Sequence, residues 1–384
     1  MFGLEKHYLL DPRVTFLNHG SFGATPRPVF RAYQRWQREL ERQPVEFLGR
    51  RITGLLRDAR SCLAEYLGAQ RDDLVFTSNV TMSLNIVARS LELGPGDEVL
   101  ASDHEYGAMD RTWRFLSRAK GFAYIRKPIP VPVTTAESFL AELWKGVTPR
   151  TRVIFLSHIT SPTALIFPVE AVVRRARQEG ILTVIDGAHV PGQLDLNLDA
   201  LGADFYGGNL HKWLSAPKGA GFLYARAGMQ PLLKPLVVSW GYEPENPGPS
   251  SFVDQQEWWG TRDMSAFLAV PEAIRFQRAN DWDRIRSACH ELLRQAQAQI
   301  EALTGLAPFH PDDPAWYCQM AGAPLPALTD APTLKQRLYD EYRIEIPVID
   351  WNGCKLLRMS AQGYNRRTDF SRLLAALQKL LTDR

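Results

Sequence analysis

Two stretches decide the fold class: ILTVIDGAH at 181–189 and YGGNLHKWLSAPKGAGFLYA at 206–225. The first is a short apolar run that ends in Asp186, and such a run is typical of a strand covered on both faces. The second predicts two strands around a loop that carries His211 and Lys212 between glycines, which let a backbone approach a ligand closely. A carboxylate and an amine at neighbouring strand ends indicate a ligand site at one sheet edge.

Outward from these stretches, strands alternate with helices between about residues 70 and 230. This alternation predicts an α/β domain with a mainly parallel sheet. Upstream, helix formers and apolar residues at three-and-four spacing predict helix from 27 to 68. Beyond about residue 260, the pattern predicts one long helix from roughly 263 into the 300s, followed by a shorter α/β region.

The change of pattern near residue 260 predicts two domains. We expect a large domain over 15–260 and a small C-terminal domain over 261–384, with residues 1–14 packed on the small one. A chain of 384 residues with 45% hydrophobic and 23% charged residues has the composition of an ordinary globular protein and is long enough for both cores.

Bulk properties also exclude several classes of partner. The formal net charge of +3 is small and its charges are mixed, so nucleic acid is not expected. No apolar run approaches the roughly 20 residues of a membrane span, and the N-terminus lacks a secretory pattern. The four cysteines have no CxxC spacing, so we expect no disulfide framework, no metal site and a cytoplasmic protein.

Asp186 and Lys212 together predict a cofactor. Alone, Asp186 is equally typical of a turn, and a loop lysine is usually solvated. Here Lys212 lies between apolar strands and beside Trp213, where burial would lower its pKa and make it a nucleophile toward carbonyls. Pyridoxal phosphate requires an amine for its aldehyde and a carboxylate for its pyridine nitrogen. The pair therefore indicates this cofactor.

A phosphate site is predicted at TSNVTMSLN, residues 77–85, where a strand ends in small polar residues and a helix begins. The N-terminus of a helix offers free N–H groups and a favourable dipole to a phosphate. The alternative is an ordinary cap on a surface helix. The downstream aspartate and lysine favour the phosphate site.

With these motifs placed, the chain resembles the class V aminotransferase family of fold-type I pyridoxal-phosphate enzymes, and within it the isopenicillin N epimerase branch. The resemblance rests on motifs that occur in the family's order along most of the chain: LNHGSFGATP at 17–26, TSNVTMSLN at 77–85, DHEYGAMD at 103–110, SHITSPTALIFPV at 157–169, DGAHVPGQ at 186–193, GGNLHKW at 207–213, WWGTRD at 258–263 and LLRMSAQGYN at 356–365. It implies a seven-stranded, mainly parallel sheet, a smaller C-terminal α/β domain and a homodimer.

The resemblance also assigns roles. Lys212 would hold the cofactor as a Schiff base, and Asp186 would pair with the pyridine nitrogen. Tyr106 would stack on the ring and act catalytically, with His104 as the alternative. Arg358 would bind the substrate α-carboxylate, and Asn18 and His19 would line the substrate side. The other cofactor contacts would come from Asn79, Val80, Thr81, Ser161, His189, Asn209, His211 and, across the dimer, Thr261.

Several reactions share this chemistry, and the sequence leaves them open. Epimerisation of an amino acid is favoured; transamination and β-elimination from a sulfur amino acid are the alternatives, and a non-catalytic cofactor-binding regulator is a remote one. A persulfide-forming desulfurase is not expected, because EIPVIDWNGCKLLRMS at 345–360 lacks the reactive-cysteine loop of such enzymes. We expect Cys354 to be a buried structural residue.

Overall fold

The structure is a computed structural model that describes residues 3–382. Its strands follow the apolar runs of the sequence and fall into three sheets. In chain order they are β1 (Thr15–Phe16), β2 (Leu74–Thr77), β3 (Glu98–Ser102), β4 (Ala123–Lys127), β5 (Thr151–Ser157), β6 (Leu182–Gly187), β7 (Phe205–Asn209), β8 (Gly221–Ala225), β9 (Met320–Leu325), β10 (Ile344–Glu345), β11 (Val348–Trp351) and β12 (Cys354–Ser360).

Helices cover both faces of the large sheet and one side of the small one. They are α1 (His19–Phe22), α2 (Arg27–Arg42), α3 (Pro44–Glu46), α4 (Ile52–Leu67), α5 (Val80–Ser90), α6 (Gly107–Lys120), α7 (Ala136–Trp144), α8 (Val169–Gln178), α9 (Leu198–Leu201), α10 (Ser251–Glu257), α11 (Ser265–Leu268), α12 (Val270–Arg278), α13 (Trp282–Thr304), α14 (Ala331–Tyr342) and α15 (Arg367–Thr382). None of the described helices is long and apolar enough to cross a membrane.

The central sheet has seven strands in the order β2-β8-β7-β6-β5-β3-β4. All pairs are parallel except those of β8, which runs antiparallel to β2 and β7. The middle strands are buried on both faces, which explains their continuous apolar runs. The predicted seven-stranded, mainly parallel sheet is confirmed.

Two predicted helices are interrupted. The region 27–68 breaks after α2, because Pro44 disfavours helical backbone at Gln43, whose φ is −155°. A π-helical stretch then joins α3 to α4. The single helix predicted from 263 is three helices, and the last break precedes Asp281, a non-glycine residue with a φ of 48°.

The C-terminal part contains an antiparallel sheet in the order β11-β12-β9, against which α13 packs. Cys354 starts β12 beside the hairpin turn and is exposed, which corrects its prediction as a buried residue. β1 pairs with β10, so the N-terminal segment that packs on the C-terminal part extends past residue 14, its predicted end. Helices α11 and α12, just after the predicted boundary at 260/261, pack on α2 and α4. The domain limits stay a prediction.

Candidate active site

A cavity of about 260 Å³ lies where the carboxyl ends of β2, β5, β6 and β7 meet. Open α/β sheets bind ligands at this edge. Ten of the eleven residues predicted to contact the cofactor line it: Asn79, Val80, Thr81, Tyr106, Ser161, Asp186, His189, Asn209, His211 and Lys212. The structure therefore assembles at one place residues that are up to 133 positions apart in the sequence, from Asn79 to Lys212.

Five further residues line the cavity and were not predicted: Ser21, Phe22, Ser157, Ile159 and Ala188. Ser157 could have been predicted from the sequence, because it is the last residue of an apolar strand. Asp186 has a similar position, one residue before the end of its strand. Ser21 and Phe22 belong to the short helix α1, and no pattern in the sequence places that helix at the sheet edge.

Lys212 lies in the loop after β7, with its Nζ atom 3.0 Å from Nε2 of His189. His189 in turn accepts a hydrogen bond at Nδ1 from the indole N–H of Trp213, at 3.2 Å. Burial, helped by the positive charge of Arg358, lowers the pKa of Lys212 to about 7, against the opposing effect of Asp186. Lys212 is thus partly an uncharged amine near neutral pH, as a nucleophile must be.

Asp186 is buried near the end of β6 and has one oxygen free. Its Oδ1 accepts a hydrogen bond from the Ala188 amide at 2.9 Å, whereas Oδ2 is buried without a partner. Burial raises the pKa of Asp186 to about 6, although the Ala188 amide and Lys212 lower it. A buried carboxylate oxygen without a donor is costly, so a ligand N–H at this position would be strongly favoured.

The N-terminus of α5 faces the cavity, and two of its first N–H groups are already engaged. The Asn79 side chain caps the helix by accepting from the Met82 amide at 3.0 Å. The Asn209 side-chain oxygen accepts from the Val80 amide at 2.9 Å. This amide, which a ligand was expected to contact, is therefore already bonded within the protein. Thr81 lines the cavity at the positive end of the helix.

His211 lines the same cavity, and a hydrogen bond fixes the orientation of its ring. Nδ1 lies 3.2 Å from the Ala220 carbonyl oxygen, to which it donates, so Nε2 is an acceptor in the neutral ring. Burial and the charge of Lys212 lower the pKa of His211 to about 4.

Tyr106 occupies the N-cap position of α6 and lines the cavity with 43% of its surface exposed. The preceding residue, Glu105, points inward and is buried. It accepts hydrogen bonds from the amide and hydroxyl of Ser157, at 2.8 and 2.6 Å, and from the Ser102 hydroxyl at 2.5 Å. Burial raises the pKa of Glu105 to about 8. Glu105 thus holds the strand end beneath Tyr106.

Arg358 of β12 lies directly behind the cavity wall. Nη1 donates to the carbonyl oxygen of Ser161 at 2.6 Å, and Nη2 donates to the Ser21 hydroxyl at 3.0 Å. Its Nε is buried without a partner, and burial lowers the pKa of Arg358 to about 10. Because both serines line the cavity, the guanidinium is one layer from the ligand space, with one donor still free.

Asn18 and His19, predicted on the substrate side, do not line the cavity. Asn18 accepts from the Ser21 hydroxyl at 2.5 Å and donates to Glu345 at 2.8 Å. His19 is fully buried, with Nε2 3.0 Å from the Lys212 carbonyl oxygen and Nδ1 2.9 Å from the Tyr364 hydroxyl. Both residues contact residues of the cavity wall, Ser21 and Lys212, and their role on the substrate side stays a prediction.

His104 does not line the cavity, and its catalytic role stays a prediction. Its Nδ1 lies 2.8 Å from the Thr163 hydroxyl, and its Nε2 lies 3.1 Å from the Ile129 carbonyl oxygen. The ring packs on Trp351, with 4.2 Å between centroids. Thr261 is exposed and does not line the cavity of its own chain.

Comparisons with known proteins identify the family. The model of the family "Aminotransferase class-V" matches residues 22–321. This chain belongs to the class V aminotransferase family. It is 40% identical to the isopenicillin N epimerase of Amycolatopsis lactamdurans, over 97% of this chain and 96% of that protein. It is 38% identical to the isopenicillin N epimerase of Streptomyces clavuligerus, over 97% and 96% of the two chains.

Solved structures show the same fold. A C-DES mutant with glycine covalently linked to its pyridoxal-phosphate cofactor aligns with a TM-score of 0.83 and 21% identity, over 96% of this chain and 97% of that one. Like its relatives, the 384-residue protein of this structure is a pyridoxal-phosphate-dependent enzyme. Its own residues fit the cofactor, because the buried Oδ2 of Asp186 lacks a donor and the Lys212 amine shares the same cavity.

Proposed function

We propose that this class V family member is an amino-acid epimerase, which moves the α-proton of an amino acid between the two faces of its α-carbon. The observation that carries the proposal is one cavity that combines a depressed-pKa lysine, a buried carboxylate with a free oxygen and a solvent-connected tyrosine. Relatives named isopenicillin N epimerase, at 38–40% identity over nearly the whole chain, support it.

The chain's residues would hold pyridoxal phosphate at both ends. Lys212 would bind it covalently, Asp186 Oδ2 would accept from its ring N–H, and the N-terminus of α5 with Thr81 and His211 would face its phosphate. When bound, the cofactor supplies an electron-withdrawing ring that acidifies the substrate's α-carbon.

Lys212 is the first proton carrier. Once it is free of the cofactor, its amine is a base whose pKa lies near neutral pH, and a positioned base of this kind contributes typically about 10²–10⁴-fold. His189, 3.0 Å away, restricts where Nζ can point. These contacts support Lys212 as the proton acceptor of the proposed reaction.

Epimerisation also requires a group that handles the proton on the opposite face. We assign this role to Tyr106, because it lines the cavity from the start of α6 and is 43% exposed. A water molecule admitted beside Tyr106 is the alternative carrier. The contacts of His104 do not support this role, since its ring nitrogens are bonded to Thr163 and Ile129.

Arg358 would select substrates with an α-carboxylate. Its Nε is buried and free, and Nη2 is bonded only to the hydroxyl of Ser21, a neutral partner that a carboxylate can replace. Charged acceptors form stronger hydrogen bonds with guanidinium than neutral ones do. A carboxylate would therefore bind along the Nε–Nη2 edge.

The same proposal includes a homodimer with a shared site, in a reducing cytoplasm that would leave the four cysteines free, as they are here. The segment 232–242 exposes a cluster of large apolar side chains, which is typical of an interface. Its members are Leu232, Leu236, Val237, Val238, Trp240 and Tyr242. Mixing Lys212→Ala with Thr261→Ala chains should restore activity if Thr261 completes the partner's site, and light scattering should give twice the chain mass.

The deciding experiment is α-proton exchange in heavy water, across L- and D-amino acids that include sulfur-containing and aminoadipyl substrates. We expect deuterium in products of both configurations, and no exchange with Lys212→Ala. Exchange of one enantiomer alone, ending in a keto acid or a lost β-substituent, would replace epimerisation by transamination or elimination. Full exchange by Lys212→Ala would exclude the proposed site.

A further inference from the structure

The indole of Trp213 constrains the protonation of the active site. Trp213 is fully buried, and its one polar atom, the ring N–H, donates to Nδ1 of His189 at 3.2 Å. An indole N–H can only donate, so His189 Nδ1 must accept and cannot carry a proton. A neutral imidazole has one N–H, and that proton must therefore sit on Nε2.

The tautomer of His189 in turn determines the protonation state of Lys212. Nε2 of His189, which now carries the proton, lies 3.0 Å from Nζ of Lys212. An N–H can bond to Nζ only if Nζ has a lone pair, which an ammonium lacks. The geometry thus requires an uncharged Lys212 amine, a conclusion reached from donor and acceptor roles alone.

We propose that Trp213 is a positioning residue, which fixes the Nε2–H tautomer of His189 and through it keeps the Lys212 amine uncharged and directed into the cavity. The proposal rests on the role given above to Lys212, and it adds a residue that does not itself line the cavity. After Lys212 has bound the cofactor, the same Nε2–H stays available as a donor at this wall.

The surroundings hold the indole so that it can act in this way. The Trp213 carbonyl oxygen accepts from the Gln277 side chain at 2.8 Å, and the Lys212 carbonyl oxygen is bonded to His19. The His19 ring packs on the indole, with 4.9 Å between centroids. A Cβ atom at Gly192 would lie 2.3 Å from the Trp213 carbonyl oxygen, so the two backbone segments pack closely there.

The charged groups facing the pair act in both directions. Burial lowers the pKa of His189, and the positive charge of Arg358 lowers it further, which keeps the ring neutral. Burial and Arg358 lower the pKa of Lys212, whereas Asp186 raises it. The hydrogen bond from His189 therefore adds to an environment that already disfavours the ammonium.

The first test uses the unaltered apoprotein, labelled with ¹⁵N only in histidine. Long-range ¹H–¹⁵N spectra at pH 7.5 distinguish the two tautomers of His189, whose signal is assigned by its loss in His189→Gln. We expect the proton on Nε2. A proton on Nδ1, or a doubly protonated ring, would overturn the proposal without any measurement on a Trp213 variant.

The second test is Trp213→Phe, which keeps a buried aromatic ring and removes the N–H. His189 could then carry its proton on Nδ1 and accept from a Lys212 ammonium, so the pKa of Lys212 should rise. We expect the rate of covalent capture of pyridoxal phosphate by the apoprotein at pH 7 to fall by about threefold to tenfold, which corresponds to the loss of one hydrogen bond. The rate should recover at higher pH.

The control is Trp144→Phe, which also removes an indole N–H, donated there to the Glu179 carboxylate at 2.9 Å and away from the cavity. Its capture rate should follow the unaltered protein at every pH. An unshifted pH profile in Trp213→Phe would reject the positioning role while leaving Lys212 as the cofactor residue. Covalent capture by Lys212→Ala would instead reject the proposed site itself.

Discussion

Replacing Asp186 with asparagine tests the proposed ring-nitrogen contact. Oδ1 of Asp186 already accepts from the Ala188 amide, so only Oδ2 is open to a ligand. In Asp186→Asn the amide oxygen would keep the Ala188 contact and the NH₂ group would face the ligand. One charge-assisted hydrogen bond is lost, at about 1.5–3 kcal/mol, which corresponds to roughly tenfold to hundredfold weaker binding.

The best probe is pyridoxamine 5′-phosphate, because it has no aldehyde and cannot react with Lys212. Its affinity for the apoprotein is measured by calorimetry from pH 5 to pH 8. Burial raises the pKa of Asp186 to about 6, so its carboxylate is charged above that pH and is neutralised as the pH falls through 6. The advantage of the unaltered protein over Asp186→Asn should therefore be full at pH 8 and small at pH 5.

The matched control is Asp195→Asn, which removes the same charge from a side chain that is 93% exposed and paired with Arg286 at the surface. It should bind the probe like the unaltered protein. The phosphate of the probe titrates near pH 6 as well, but it does so with every variant and cancels in the comparison. Equal affinities of Asp186→Asn and the unaltered protein at pH 8, or a difference that persists at pH 5, would refute the reasoning.

Three further predictions concern other parts of the molecule. Tyr106→Phe should lower product epimerisation by about 10²–10⁴-fold while one enantiomer still exchanges its α-proton; equal loss of both would contradict the role. Arg358→Lys should raise KM for amino acids about tenfold to hundredfold with little change in kcat, since the guanidinium fork is lost. Arg60→Met should cost about 3–5 kcal/mol in urea unfolding, because it leaves Glu257 buried and unpaired, whereas Arg278→Met at an exposed pair should cost at most about 1 kcal/mol; similar losses would refute this.

The adjacent residues Glu105 and Tyr106, together with His104, show why site prediction succeeds only in part. All three follow the same strand, and their residue types alone allow each to be catalytic. The turn directs Tyr106 to the cavity, Glu105 beneath the strand ends and His104 toward Thr163 and Trp351. Side-chain direction in a turn depends on its backbone angles, which residue type only weakly determines.

The interruptions of the predicted helices show a similar limit for the prediction of secondary structure. Pro44 is a visible interruption, and its effect on Gln43 follows from local sterics. The positive φ of Asp281 has no comparable signal, since α12 and α13 have to pack on different partners. Local chemistry therefore predicted the elements better than their ends.

The mainly parallel sheet, the family and the position of Asp186 and Lys212 at one sheet edge could be predicted from the sequence. This was possible because apolar runs specify buried strands, and the carboxyl ends of parallel strands share one edge. Only the tertiary structure decided which donors and acceptors meet: Trp213 with His189, Ser21 and Ser161 with Arg358, and Asn209 with the amide of Val80. These contacts depend on the packing of elements far apart in the chain, and a hydrogen bond depends on tenths of an ångström that no local pattern encodes.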